Sequence, residues 1–143
     1  MDMTSVLTVS IAAATGLVGP LASQVLAAKA ALRAKRFEVY FQAKASKYAA
    51  LLERIGEFAC SPVDQGKYEA FLAAYETALL FASEKVAEAL RGPSGLIVNA
   101  HRLRMAPTNE KRDGVAATTW YDAAKEVSAA MRNDLGRLSD GLQ

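Results

Sequence analysis

His101 and Cys60 are the only histidine and the only cysteine in this chain of 143 residues. One histidine limits any Ser–His–Asp or Cys–His arrangement to a single pair. One cysteine excludes an internal disulfide and a thiolate metal cluster. Cys60 reads as a small buried residue near a helix end, and a lone thiol suits a reducing compartment. Paired carboxylates occur at Glu53 with Glu57 and at Glu84 with Glu88, each four apart on a helical face shared with basic residues. That setting describes a solvated face. A di-iron bundle would also need a Glu-x-x-His motif, and the sequence has none. Walker, GxGxxG, HExxH and CxxC motifs are absent as well. "GPSG" at 92–95 has neither a strand before it nor a lysine after it, so it is no phosphate loop. An enzyme is not expected, and no cofactor or metal is expected.

What must position these residues is a set of helices. Alanine is abundant, prolines number four, and β-branched residues gather at the N-terminus. The formal net charge of +2 is unevenly spread. Residues 27–60 carry seven Lys/Arg against three acids, whereas residues 61–91 carry three against five. The basic excess lies directly behind an apolar stretch. Its leading cluster, Lys29, Arg33, Lys35 and Arg36, has no aromatics interleaved and no recognised binding motif, so nucleic acid is not the expected partner.

The apolar stretch runs from Met3 to Ala28 without a charged side chain. A bilayer crossing needs about 20 residues of helix, and residues 1–28 are expected to form a transmembrane helix. The soluble alternative is a buried central helix, apolar all round. A signal peptide fits poorly, because Met1-Asp2-Met3 carries no basic residue. Asp2 precedes the span, and Lys29, Arg33, Lys35 and Arg36 follow it. The positive-inside rule then places the N-terminus outside and residues 29–143 in the cytoplasm, with those four cations against the lipid headgroups. Pro20 would kink the span, and kinks are tolerated in membranes. Ala12, Gly16 and Pro20 share one face; Gly19, Ser23 and Ala27 share its neighbour. Such small-residue spacing lets a second helix approach closely.

The remainder reads as a helical bundle. The span continues as one helix over 29–59, with Phe41, Tyr48 and Ile55 at one heptad core position. Phe37, Lys44, Leu51 and Phe58 occupy the other, and Lys44 is its only polar member. The aromatics read as packing residues. A second helix is expected over 62–91, capped by Ser61 with Pro62 and Asp64, although a loop as far as Gln65 also fits. Gly92 would end it in the left-handed conformation, with Pro93 beyond. Two arms of about 45 Å each would then form a hairpin, with Cys60 and His101 at its opposite ends. A short helix over 95–105, capped by Ser94, would either lie on headgroups through Leu96, Ile97 and Val98 or plug one end of the bundle. Residues 106–114 read as a loop. A last helix over 115–136 carries Trp120, Ala124, Val127, Met131 and Leu135 on one stripe, with Gly136 as its cap. The expected architecture is all-α: a membrane helix running into an antiparallel three-helix bundle.

"YETALLFASEKVAEAL" (75–90) and "AAMRNDLG" (129–136) resemble a scattered group of small bacterial and phage-encoded proteins. These carry one N-terminal transmembrane helix, a helical hairpin and a last helix ending in an "RxDLG"-like turn. The resemblance covers most of the chain in layout and only those two stretches in wording. It implies a single-pass protein of the bacterial inner membrane, and it carries over no functional residue. The long 92–114 connection and the weakly apolar span depart from the group's form. The expectation is a non-enzymatic, membrane-anchored interaction protein, whose partners are lipids and either copies of itself or other membrane subunits. Two alternatives share these features: a holin-like permeabilising protein, and a soluble helical subunit of a phage or filament assembly.

Overall fold

The computed structural model describes the backbone of residues 3–141 and the side chains of residues 20–109 and 111–141. Six helices follow one another: α1 (Met3–Cys60), α2 (Gln65–Phe81), α3 (Glu84–Arg91), α4 (Leu96–Met105), α5 (Thr108–Asp113) and α6 (Val115–Asp140). No strand occurs among the described residues, so the all-α expectation stands. The chain divides into two compact units, Met1–Val39 and Tyr40–Gln143. The first belongs to α1 alone, and every residue from 20 to 36 is exposed. Phe37 is half-buried, and Lys44 and Tyr48 are buried.

The second unit is built on the stripe that heptad spacing singled out. Tyr48, Leu51, Ile55 and Phe58 of α1 are buried. Phe58 stacks on Phe71 of α2 at 5.3 Å between ring centroids and meets the edge of Trp120 of α6 at 5.1 Å. Trp120 lies 5.8 Å from Phe71, which closes an aromatic triangle. The preference of ring edges for ring faces favours this geometry, and each such pair adds about 0.5–1.5 kcal/mol beyond its buried area. Val127 and Met131 continue the α6 stripe inward. The contact from α6 to α1 shifts from Trp120–Phe58 to Asp134–Lys44, fourteen residues along each helix in opposite directions. The two helices are therefore antiparallel.

Helix boundaries differ from expectation at the α2–α3 break, within residues 106–114 and at the end of α6, while the start of α2 follows the alternative of a loop as far as Gln65. The helix expected over 62–91 is two helices, α2 and α3, broken at Ala82–Ser83. Ser83 is in the extended region and its hydroxyl accepts from the backbone N–H of Val86, so it caps α3 with Glu84 behind it. At the start of α2 the cap is Asp64, which accepts from the Lys67 N–H, and residues 61–64 form a turn. Gly92 is extended, with φ −67°, and not left-handed. Glycine is needed there for another reason: a Cβ would come within 2.5 Å of the Glu88 carbonyl oxygen. The loop expected at 106–114 contains α5, and α6 passes through Gly136 to Asp140. The "RxDLG"-like turn is accordingly helix in this chain.

α4 turns its apolar side inward. Leu96, Ala100 and Leu103, spaced by four and three, are buried in the core, and Gly95 rather than Ser94 is the N-cap. Of the three residues considered for headgroup contact, Leu96 is in the core, and Ile97 and Val98 are half-buried. Arg104 reaches the Gln65 side chain and lies 4.3 Å over the Tyr68 ring. The end of α4 thus sits beside the start of α2. His101, one turn earlier on α4, is exposed.

Candidate functional site

The expected membrane-facing residues divide between described and undescribed side chains. Ala12, Gly16 and Gly19 lie outside the described side chains. Pro20 is inside α1, and Pro20 and Ser23 are exposed. No helix among the described residues is long and apolar enough to cross a membrane. Most of the stretch expected to span falls on residues 1–19, whose side chains are not among those described.

Lys29, Arg33, Lys35 and Arg36 are all exposed on α1. Lys29, Arg33 and Arg36 are spaced by four and three, so the α-helical repeat puts them on one face. Leu21, Val25, Leu26 and Leu32 are exposed on the same helix, at 50–68 % of their full area. Val25 and Leu32 are seven apart, which sets an apolar stripe next to the basic one. Long cationic side chains beside apolar ones suit a surface that is apolar within and anionic at its edge.

The second grouping is buried, and the sequence disclosed only half of it. Lys44 sits at a heptad core position and is buried, with its side chain 5 % exposed. Its Nζ lies 2.5 Å from Asp134 Oδ2 of α6, and the Asp134 side chain is 7 % exposed. The Tyr48 hydroxyl, one turn along α1, donates to the same oxygen at 2.7 Å. The Phe81 carbonyl at the end of α2 lies 3.4 Å from that hydroxyl. Ser83, at the α2–α3 break, also interacts with the carboxylate. Arg137, one turn beyond Asp134, places a guanidinium nitrogen 3.8 Å from the second oxygen. The Lys44 ammonium also lies 5.6 Å from the Tyr48 ring centre and 5.9 Å from that of Tyr40.

These contacts set the ionisation of the cluster. Burial alone would disfavour the Asp134 carboxylate. The hydrogen bonds from Lys44 and Tyr48, the Lys44 charge and the Ser83 contact outweigh it and hold the carboxyl below its usual range. Burial is the main cause that pushes the Tyr48 hydroxyl well above the usual tyrosine range, and its bond to Asp134 adds to this. At neutral pH the cluster is an ion pair with a neutral phenol bridging to α2.

Such an arrangement joins α1, α6 and the α2–α3 break. Asp134 escaped sequence reasoning because its i−3 and i−7 neighbours, Met131 and Val127, drew attention to the stripe and away from the acid beside it. Lys44 was the available signal, since a lysine at a core position requires a buried counter-charge. Cys60 is exposed, contrary to the buried reading. Among the described residues no group of three His, Cys, Asp or Glu side chains could hold a metal ion. No family model matches the chain, and neither a curated protein nor a solved structure matches it.

Proposed function

We propose that this chain is a membrane-anchored helical interaction protein, self-assembling or serving as a subunit of a larger membrane complex. One observation carries the reading. α1 runs unbroken from Met3 to Cys60, and all its residues from 20 to 36 are exposed, apolar ones included. A helical segment with Leu21, Val25, Leu26 and Leu32 outward gains little stability from its own chain and calls for an outside surface. The uncharged run before Lys29 supports a bilayer as that surface, with Lys29, Arg33, Lys35 and Arg36 at the headgroups of the cytoplasmic leaflet. The small residues Ala12, Gly16, Gly19, Pro20 and Ser23 would form the face on which a neighbouring membrane helix packs.

Detergent extraction followed by sizing tests the interaction half of the reading. The expected result is an assembly larger than one chain, or a co-purifying partner. A detergent-solubilised monomer without a partner would contradict it.

A further inference from the structure

The buried ion pair raises a question that membrane anchoring leaves untouched: why a small alanine-rich bundle keeps two charges in its interior. We propose that Lys44, Tyr48 and Asp134 form a register lock that selects one alignment of α6 on α1 among several of similar apolar burial.

The apolar faces do not discriminate well by themselves. The α6 face that packs inward consists of Ala116, Trp120, Ala123, Val127 and Met131, and alanines flank it at 117, 124 and 130. α1 answers with Tyr48, Leu51, Ile55 and Phe58 at the same three-and-four spacing. Two helices patterned this way can slide by one turn, about 5.4 Å, and still oppose apolar to apolar. The polar cluster removes that freedom. A one-turn slip in either direction breaks the joint contact of Asp134 with Lys44, Tyr48 and Ser83 and leaves the buried charges with fewer partners.

The same three residues also set the third element. Tyr48 and Asp134 meet the α2–α3 break through Phe81 and Ser83, so that break is aligned by the same contacts. Arg137 and Tyr40 are further charged or titratable groups near the pair. Neither replaces it: Arg137 reaches only the other oxygen, at 3.8 Å, from an exposed position, and Tyr40 offers a ring face.

The chain carries its own probe for this proposal, since Cys60 and Trp120 are its only cysteine and its only tryptophan. Cys60 is exposed and therefore open to labelling, and its neighbour Phe58 touches Trp120. A quencher attached at Cys60 reports the Trp120 distance through the fluorescence lifetime. The unaltered chain should show one quenched lifetime. K44M/D134L keeps an apolar interior and should remain helical while its lifetime splits into two or more components. A single lifetime equal to that of the unaltered chain would overturn the lock. Should K44M/D134L unfold, the same reading is made on K44Q/D134N, which keeps neutral polar groups in place. Splitting there supports the lock. A single lifetime there, or unfolding of that variant also, would show that the pair does not choose among registers and would overturn the proposal.

Discussion

Lys44 was legible as an anomaly, and its neighbours explain why it is tolerated. A lysine on a core stripe costs several kcal/mol unless a counter-charge meets it; Asp134 does so at 2.5 Å, and the Tyr48 hydroxyl donates to the same carboxylate oxygen at 2.7 Å. Removing one partner leaves the other charge buried. K44M and D134N are each expected to cost about 3–5 kcal/mol in urea unfolding, and Y48F about 1–2 kcal/mol. Equal midpoints for K44M and the unaltered chain would refute the burial argument. The pH profile follows from the directions of the two shifts. The Asp134 carboxyl is held low, so its contribution is present above the unfolded carboxylate value, about 4. It is lost as pH falls through the lower folded value. Tyr48 is pushed up, so its contribution holds below the unfolded tyrosine value, about 10, and fades as pH rises above it. Denaturation midpoints should form a plateau from about pH 5 to about pH 9 and decline on both sides. In D134N the acid decline should be shallower.

At the level of elements, the repeat of apolar residues identified the second half of α1 and α6 because each turns one stripe to a shared core. The α2–α3 break was not legible for a physical reason: Tyr75, Ala82, Val86 and Ala89 keep helical spacing across it, and no glycine or proline marks it. Only Ser83 followed by Glu84 carries the cap signal. S83A is expected to cost about 1 kcal/mol through the lost cap, and more if the Asp134 contact counts. Two glycines read alike in sequence also separate here. Gly136 lies within α6 with open space where a Cβ would go, so G136A should raise stability by about 0.5–1 kcal/mol. At Gly92 the Glu88 carbonyl fills that space, and G92A should lower stability by about 1–3 kcal/mol. Thermal melts of the two variants in opposite directions would confirm the distinction; shifts of the same sign would refute it.

For the molecule as a whole, the all-helical architecture and the aromatic core could be read from spacing, because burial imposes a period on the residues that pack. The surface at which the chain meets its surroundings leaves no such period in its own fold. Its signs are an uncharged run, the cations Lys29, Arg33, Lys35 and Arg36 behind it, and exposed leucines on α1. Reversing the charge of Lys29, Arg33 and Arg36 together should weaken co-sedimentation of the full chain with anionic vesicles by on the order of 1 kcal/mol per residue. Binding that is unchanged would remove these cations from the interface. Membrane anchoring itself is tested most directly by fractionating cells that express the full chain with high-speed centrifugation and an alkaline wash. The chain should stay in the membrane pellet and leave it only with detergent. Recovery in the supernatant without detergent would contradict it.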